Sequence, residues 1–490
     1  MSSAVTIRKV SGTCFSVIVT ALSFALAEIY VLDYGISYQE VIVTVLLVAA
    51  FWAFAAGNQG LKVGLVFLVL TFGLGYRTME VTPGLRVHPS ELVLWGLLAL
   101  PALLRTRLKL WLPFWLILFI PFWLWGWWPM VAGDVKWEPM LSEFKNFIVL
   151  IPLYFVAGSV LGEKSGWRSV LLAFYMVGAW IAAMGTLEYL YPEVKTLFPS
   201  FVSIPSPVET GEGFQRARFS FWGSQDAIYI CVLAMPIASV VWEWWSIWWQ
   251  RVVNLLIVAV MLGGVYISGH RNAWLMITLQ CLGFVVVKKK YWLAILVLLV
   301  FFSIYQVLPD PTRARFYSGT ELVSGQPVSS DSSGQKRWDR VSISLNNALT
   351  HPLGNGWAAA GWVHNDFLQV AENLGIMAGA LFLGVYVYTL GRLWRRVRTA
   401  SLLREQRALG ATLLLSFACA GVILATDANL VLPQLIFPIW FIWVIAEIWL
   451  RQTRMKRATT YDTSFNLRAL ADLQLCGDSS PYPGSRQMGR

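Results

Sequence analysis

The arginines that could bind a substrate lie in segments between apolar runs of the sequence. They are Arg216, Arg218, Arg271, Arg337 and Arg340. A guanidinium group holds a phosphate through two parallel hydrogen bonds and keeps its charge, so these residues suit a diphosphate near a membrane surface. The alternative is simple anchoring of long side chains at the interface. Anchoring explains Arg271 less well, because only a very tight turn separates the apolar runs around it.

A histidine stands at the start of a later apolar run, after the longest polar segment. His364 can accept a proton near neutral pH, although a lone interfacial histidine is more often structural. Asn365, next to it, is equally well explained as a helix-start residue. Glu372 lies two helical turns further on, about 12 Å along the axis. Its carboxylate could orient the site, pair with an arginine or hold two helices together.

The sequence offers little for binding a metal or a nucleotide. It has four histidines without HxxH or HExxH spacing, and five cysteines. Four cysteines lie in apolar runs and Cys476 stands alone in a polar tail, so neither a disulfide framework nor a thiolate zinc site is expected. No glycine-rich phosphate loop is present in the sequence. We therefore expect no metal and no cofactor.

The composition of the chain indicates a membrane protein. Of the 490 residues, 57% are hydrophobic and 13% are charged, and the mean hydropathy is +0.60. So few charges cannot cover a globular surface, since about 25% of residues are charged in soluble domains. This excludes a cytosolic enzyme, a disordered regulator and a DNA-binding domain. The net charge of +11 is attributed to membrane loops and not to a nucleic-acid partner.

Apolar segments of membrane-spanning length recur along the chain. A bilayer core needs about 20 apolar residues per helix. The sequence predicts an all-α, polytopic integral membrane bundle over residues 1–457, with about fourteen transmembrane helices. The predicted spans are 11–32, 41–57, 61–76, 90–104, 108–128, 146–162, 168–190, 225–242, 251–269, 272–287, 291–308, 364–391, 408–426 and 430–450.

Basic residues set the predicted orientation, because Lys and Arg accumulate in cytoplasmic loops. With the N-terminus inside, every dense basic cluster falls on the cytoplasmic side. Both termini are then cytoplasmic, and residues 458–490 form a disordered tail. The longer outward segments are 129–145, 191–224 and 309–363, and the last becomes regular from Lys336 to Leu349.

Three short motifs carry a resemblance to a known family. The first is His351-Pro-Leu-Gly-Asn-Gly356, followed by His364-Asn365, Leu368, Glu372 and Gly375. The second is His270-Arg-Asn-Ala273 after Ser268-Gly269, and the third is Arg216-Ala217 before Phe221. Together these motifs resemble the O-antigen ligase/polymerase superfamily of bacterial membrane glycosyltransferases, over residues 210–390 or so.

The chain departs from the family pattern in three places. His270 replaces a more usual Ser, and residues 219–225 replace a Gly and an Asn-Pro-Asn. The polymerase branch has Arg, ten residues and then Gly in two outward loops. At that spacing Arg216, Arg218 and Arg340 reach residues other than glycine. This last difference weakens the polymerase interpretation.

The resemblance implies an enzyme that works without a metal at the outer, periplasmic face of the bacterial inner membrane. Its donor would be a glycan on undecaprenyl diphosphate. Its acceptor would be lipid A–core for a ligase, another lipid-linked glycan for a polymerase, or a protein hydroxyl as in pilin glycosylation. His364 would deprotonate or orient the acceptor hydroxyl. Arg216, Arg271 and Arg218 would bind the diphosphate, supported by Asn365, Glu372, Arg337 and Arg340.

Two other classes of protein remain open. A transporter or flippase would also be helical with internal charges, although the sequence shows no inverted repeat. A metal-dependent lipid-linked glycosyltransferase would need an acidic residue in its first outward loop, where Asp33 and Glu40 lie. Transport in vesicles would identify the first class, and sensitivity to chelators the second.

Overall fold

The computed structural model describes residues 58–74, 79–82, 85–99, 112–133, 137–162, 164–191, 208–211, 214–217, 224–289, 332–399, 402–427, 432 and 435–454. Three predicted spans, 11–32, 41–57 and 291–308, lie outside the described residues. The first part of the segment 309–363, both chain termini and the predicted tail 458–490 also lie outside them.

Within the described residues the regular structure is helical apart from two short antiparallel hairpins, and residues 351–365 form turns. The longer helices are Asn58–Thr71, Phe114–Trp125, Trp137–Ile148, Leu150–Val160, Lys164–Leu190, Ser224–Ala234, Trp248–Ser268, Arg271–Lys288, Ser332–Thr350, Asp366–Leu374, Ile376–Val397, Arg404–Thr426 and Leu435–Arg454. Shorter helical pieces are Phe72–Leu74, Pro89–Leu92, Val93–Ala99, Trp128–Val131, Met235–Ile237 and Ala238–Trp244. The hairpins pair Met79–Thr82 with Leu85–Val87 and Val208–Gly211 with Phe214–Ala217.

Eight helical segments in the described part of the chain are long and apolar enough to cross a membrane. They are Phe114–Val131, Trp137–Val160, Ser165–Leu190, Ala227–Trp244, Trp248–Ser268, Ile376–Val397, Arg404–Thr426 and Leu435–Arg454. The apolar helices Gln59–Thr71 and Asn272–Lys288 are shorter. The predicted helical fold with several membrane-spanning segments is confirmed at this level. The count of about fourteen spans and the outward position of the largest loop stay predictions.

The predicted span 364–391 is two helices instead of one. The first, Asp366–Leu374, we call the motif helix, and the second is Ile376–Val397. They are separated at Gly375, whose φ of +100° is incompatible with a continuous helix. The sequence pattern missed this break because hydropathy does not report backbone conformation.

The predicted outward segment 129–145 is also largely helical. Helix Trp137–Ile148 belongs to a segment of membrane-spanning length and buries Glu143. Lys145, on the same helix, pairs with Glu91 at 2.5 Å. These charges made the segment look like a loop, although each side chain finds partners inside the bundle.

The long helices run between two ends of the bundle. At one end, which we call the basic end, Arg404 pairs with Glu243 at 2.8 Å. The helix that begins at Arg404 ends at Thr426, about 33 Å away at 1.5 Å per residue. There Asn365 donates a hydrogen bond to the Ala425 carbonyl oxygen, so His364 lies at the opposite end, which we call the site end.

Helix Ser332–Thr350, which we call the loop helix, confirms the regular segment predicted from Lys336 to Leu349. After it, the chain folds back onto the bundle through Trp357, whose ring is fully buried. The Trp357 Nε1 donates to the Trp123 carbonyl oxygen at 3.0 Å, and its backbone N–H donates to Gly126 at 2.9 Å. These two hydrogen bonds hold the segment after the loop helix against the end of helix Phe114–Trp125.

A close approach of two backbones explains Gly354 in the Pro-Leu-Gly turn. Its φ is +87°, and a Cβ there would lie 2.5 Å from both the Asn373 carbonyl oxygen and the Gly375 nitrogen. Nearby, the Ile376 N–H donates to the Pro352 carbonyl oxygen at 3.0 Å. The turn thus packs directly against the end of the motif helix, and a side chain at Gly354 would separate them.

We expect Gly354→Ala to destabilise the protein more than Gly361→Ala. Both glycines have positive φ, which costs alanine about 1–2 kcal/mol. A Cβ at Gly361 would meet nothing within 4 Å, whereas one at Gly354 would collide with backbone atoms, which adds about 1–3 kcal/mol. Thermal unfolding of the two purified variants in detergent measures the difference. Equal midpoints would contradict the close packing of this turn.

Candidate functional site

His364 lies just before the motif helix, in an unusual backbone conformation. Its φ is +59°, in the left-handed region, and the helix itself begins at Asp366. Asn365 caps the helix, since its Oδ1 accepts a hydrogen bond from the Leu368 N–H at 3.1 Å. Its Nδ2 donates to the Ala425 carbonyl oxygen at 3.1 Å. Asn365 therefore fixes the backbone next to His364 against the end of a neighbouring helix.

A carboxylate contacts the imidazole ring of His364. The Asp427 Oδ1 lies 3.4 Å from the His364 Nδ1, and the histidine side chain is 23% exposed. The other Asp427 oxygen accepts a hydrogen bond from the Tyr229 hydroxyl at 3.1 Å. A carboxylate beside Nδ1 favours a proton on that nitrogen, which leaves Nε2 free to accept one. The arrangement suits a histidine base held by an acidic partner.

Asp427 occupies a position where a negative charge needs partners. It ends helix Arg404–Thr426, and the carbonyl end of a helix carries partial negative charge. A carboxylate there does not stabilise the helix. The Tyr229 hydroxyl and the His364 ring offset this repulsion, so the position of Asp427 is better explained by the site than by the helix.

A chain of polar contacts joins the Arg271 turn to His364. Asn272 donates from Nδ2 to the Tyr229 hydroxyl oxygen at 3.3 Å and to Thr426 Oγ1 at 3.1 Å. Tyr229 in turn donates to Asp427, which contacts His364. Two motifs that are almost a hundred residues apart in the sequence are thus joined through the side chain that follows Arg271.

The predicted arginines have different positions. Arg271 is the first residue of helix Arg271–Lys288, one position before Asn272. Arg216 lies in the second strand of the hairpin Val208–Ala217, in register with Glu209. Arg337 is on the loop helix, and its charge acts on Tyr229. Arg340 is exposed on the same helix, and Arg218 lies outside the described residues.

Among the described residues, no hydrogen bond or ion pair joins Glu372 to His364. It is buried on the motif helix, and its Oε1 accepts a hydrogen bond from Asn347 Nδ2 at 2.8 Å. Asn347 belongs to the loop helix. Of the three roles that the sequence left open, the geometry favours holding two helices together.

A second buried carboxylate lies below the turn that leads to His364. Glu143 accepts hydrogen bonds from Gln369 Nε2 at 2.6 Å and from Asn373 Nδ2 at 2.9 Å. It also accepts one from the Ala358 N–H at 2.6 Å, and Ala358 has a positive φ of +62°. Asn373 Oδ1 accepts from the Ala360 N–H at 2.8 Å. Glu143 therefore fixes both the motif helix and the turn before His364.

Trp362 gives the site an apolar wall. Its ring is exposed and stands edge-on to the His364 ring, with centroids 6.4 Å apart and planes 75° apart. A large, partly exposed aromatic surface next to a polar group is a common feature of sites that bind small molecules.

The sequence analysis missed Asp427, Tyr229 and Glu143. Asp427 stands alone between the apolar runs 408–426 and 430–450, which is the same signal that singled out Arg271. Tyr229 lies inside an apolar run and gives no such signal. Glu143 was assigned to a loop, where a carboxylate requires no explanation. Only the packing of distant segments brings these three groups into the site.

Comparisons with known proteins add no relative. No protein-family model matches the chain, and no curated protein matches its sequence. In the part of the chain that the structure describes, no three His, Cys, Asp or Glu side chains are grouped to hold a metal ion. The resemblance of the motifs and the geometry of the site are therefore the grounds for assigning a function.

We expect Glu143→Gln to destabilise the protein by about 1–3 kcal/mol. The glutamine amide would point a donor at groups that are themselves donors, which leaves at least one buried N–H without an acceptor. In the double variant Glu143→Gln with Asn373→Asp, the carboxylate and the amide exchange places, and the hydrogen bond between positions 143 and 373 can form again. Thermal unfolding of the two single variants and the double variant completes a double-mutant cycle. Strictly additive losses would show that the two side chains are not coupled.

Proposed function

We propose that this protein is a membrane glycosyltransferase. It transfers a glycan from undecaprenyl diphosphate to an acceptor hydroxyl, at the site end of the bundle. The observation that supports this most is the chain of contacts from Asn272 through Tyr229 and Asp427 to His364. It joins a position suited to a diphosphate with a histidine suited to proton transfer, as a transferase of the resembled family requires.

In the proposed reaction, His364 accepts the proton of the acceptor hydroxyl at Nε2. The acceptor oxygen forms a bond to the anomeric carbon as the bond from that carbon to the diphosphate breaks. The electron pair of the broken bond stays on the diphosphate. Asp427 holds the imidazole and stabilises its positive charge, as carboxylates do beside catalytic histidines.

Arginines at the site end bind the diphosphate and stabilise the charge that develops as it leaves. Arg271 is the foremost of them, because its neighbour Asn272 belongs to the contact chain. Arg216 and Arg218 complete the clamp, and Arg337 adds positive charge near Tyr229. Diphosphate is a good leaving group, so the reaction as proposed needs neither ATP nor a metal.

The proposed setting is the bacterial inner membrane, with the site end in the periplasm and both termini in the cytoplasm. This orientation places the basic end inside, in agreement with the accumulation of Lys and Arg in cytoplasmic loops. We favour lipid A–core as the acceptor, as for an O-antigen ligase. Another lipid-linked glycan or a pilin hydroxyl would make the protein a polymerase or a protein glycosylation ligase.

We expect His364→Ala to lower transfer by about 10²–10⁴-fold, the usual contribution of a positioned base. The matched control is His351→Ala, since His351 is exposed in the turn after the loop helix and lies outside the contact chain. Transfer is measured with purified donor and acceptor, and donor binding is measured separately. His364→Gln can hydrogen-bond but cannot act as a base, so it should also be slow. Near-normal turnover in a folded His364→Ala protein would remove the base from the mechanism.

Asp427→Asn should lower transfer by about 10- to 100-fold, because a charge-assisted contact is worth about 1.5–3 kcal/mol. As a positioning residue, it should change turnover while donor binding stays close to normal. Asp339→Asn removes an exposed carboxylate from the loop helix at the same end and serves as the control. If both variants turn over equally fast, the contact between Asp427 and His364 has no part in the reaction.

A further inference from the structure

The loop helix has an exposed apolar stripe along one side. Trp338, Leu345 and Leu349 are spaced by seven and four residues, which places them one above the other on a helix. Leu353 follows in the turn after the helix. These four side chains are between 46% and 69% exposed. An apolar stripe of this length needs a partner, and the described residues of the bundle do not provide one.

A different side of the loop helix packs against the protein. Ser344 and Ala348 are buried, and Asn347 donates its hydrogen bond to Glu372 on the motif helix. These residues lie about a quarter to a half turn away from the stripe, at 100° per residue. The packing therefore fixes the rotation of the helix and leaves the stripe facing away from the motif helix.

The loop helix runs across the site end and does not project away from it. Near its end, Asn347 donates a hydrogen bond to Glu372 on the motif helix, which begins beside His364. After its end, the Leu353 carbonyl oxygen accepts a hydrogen bond from Trp125 Nε1 at 2.8 Å. Trp125 is the last residue of helix Phe114–Trp125, which belongs to a membrane-spanning segment. The loop helix is thus joined both to the motif helix and, through the turn that follows it, to a membrane-spanning segment, a position that suits a helix lying along the membrane surface.

Leu353 joins the stripe to a surface that faces lipid. Trp125 stacks on Trp128 with a centroid distance of 5.9 Å, and both rings are exposed. They belong to the segment Phe114–Val131, which has most of its apolar side chains exposed and is long enough to cross a membrane. Tryptophans at such positions are typical of the membrane interface.

We propose that the loop helix is an interfacial helix, with Trp338, Leu345, Leu349 and Leu353 inserted into the outer face of the lipid bilayer. Its first half contains Lys336, Arg337 and Arg340 against the single Asp339, a positive balance that suits anionic headgroups. The partner is the bilayer itself and not a second protein. This inference depends on the membrane-spanning segments and is independent of glycosyl transfer.

The test places a nitroxide label on the stripe and on a matched position away from it. Leu345→Cys and Leu349→Cys carry the label on the stripe. Ile343→Cys is the control, because Ile343 is 53% exposed but lies more than a quarter turn from the stripe. Cys14, the half-buried Cys281 and Cys476 are first replaced by Ser, and the buried Cys231 and Cys419 are kept. The full chain is studied in nanodiscs of phosphatidylethanolamine and phosphatidylglycerol.

Oxygen concentrates in lipid and a nickel chelate stays in water, so their access to the label reports its depth. The measured quantity is the ratio of the relaxation caused by oxygen to that caused by the nickel chelate. We expect this ratio to be several-fold higher for labels at 345 and 349 than for the label at 343. Similar aqueous values at all three positions would overturn the proposal. Protection of the stripe labels from both reagents would also overturn it, because a protein surface, such as a second copy, would then cover the stripe. A change in transfer activity has no bearing on either outcome.

Discussion

A carboxylate that is buried in an apolar bundle must find donors, and two such groups control the site end in different ways. Within the described part of the chain, Glu143 receives only amide N–H bonds, from Gln369, Asn373 and Ala358, and these donors cannot exchange a proton with it. Asp427 faces a phenol that donates a hydrogen bond to it and an imidazole that can exchange a proton with it. The contacts of Glu143 hold segments together, whereas those of Asp427 allow proton transfer. Burying either carboxylate costs desolvation free energy.

The two carboxylates act on the same short stretch of chain. Glu143 fixes the Ala358 turn and the motif helix, and Asp427 contacts His364, which lies between them. With φ at +59°, His364 has a backbone conformation that is costly for a residue other than glycine, by about 1–2 kcal/mol. Such a conformation persists only where the surroundings determine it. The hydrogen bonds of Glu143 and Asn365, on either side of His364, hold the backbone in this conformation. The stability of the loop and the position of the imidazole are therefore linked.

Part of this arrangement is predictable from the sequence and part is not. Hydropathy predicted a helical membrane protein, and the regular segment from Lys336 to Leu349 is the loop helix. His364 and the Arg271 turn were singled out because a polar group at the end of an apolar run is unusual. Tyr229 and Glu143 could not be found in this way, since a tyrosine in an apolar run and a carboxylate in a supposed loop have ordinary explanations. The break at Gly375 was missed for a related reason, because hydropathy does not report backbone conformation.

The structure explains the glycine in the Pro-Leu-Gly motif by backbone packing, which the sequence alone does not show. Gly354 contributes no side chain to the site, and its role is to let the turn pack against the end of the motif helix. The same turn contains Leu353, whose carbonyl oxygen accepts a hydrogen bond from Trp125 in a membrane-spanning segment. A rigid turn therefore joins the helix that begins beside His364 to the exposed apolar surface of the segment Phe114–Val131. If a lipid-linked substrate is the donor, this connection sets the height of the imidazole relative to the bilayer, and hence relative to a diphosphate held at its surface.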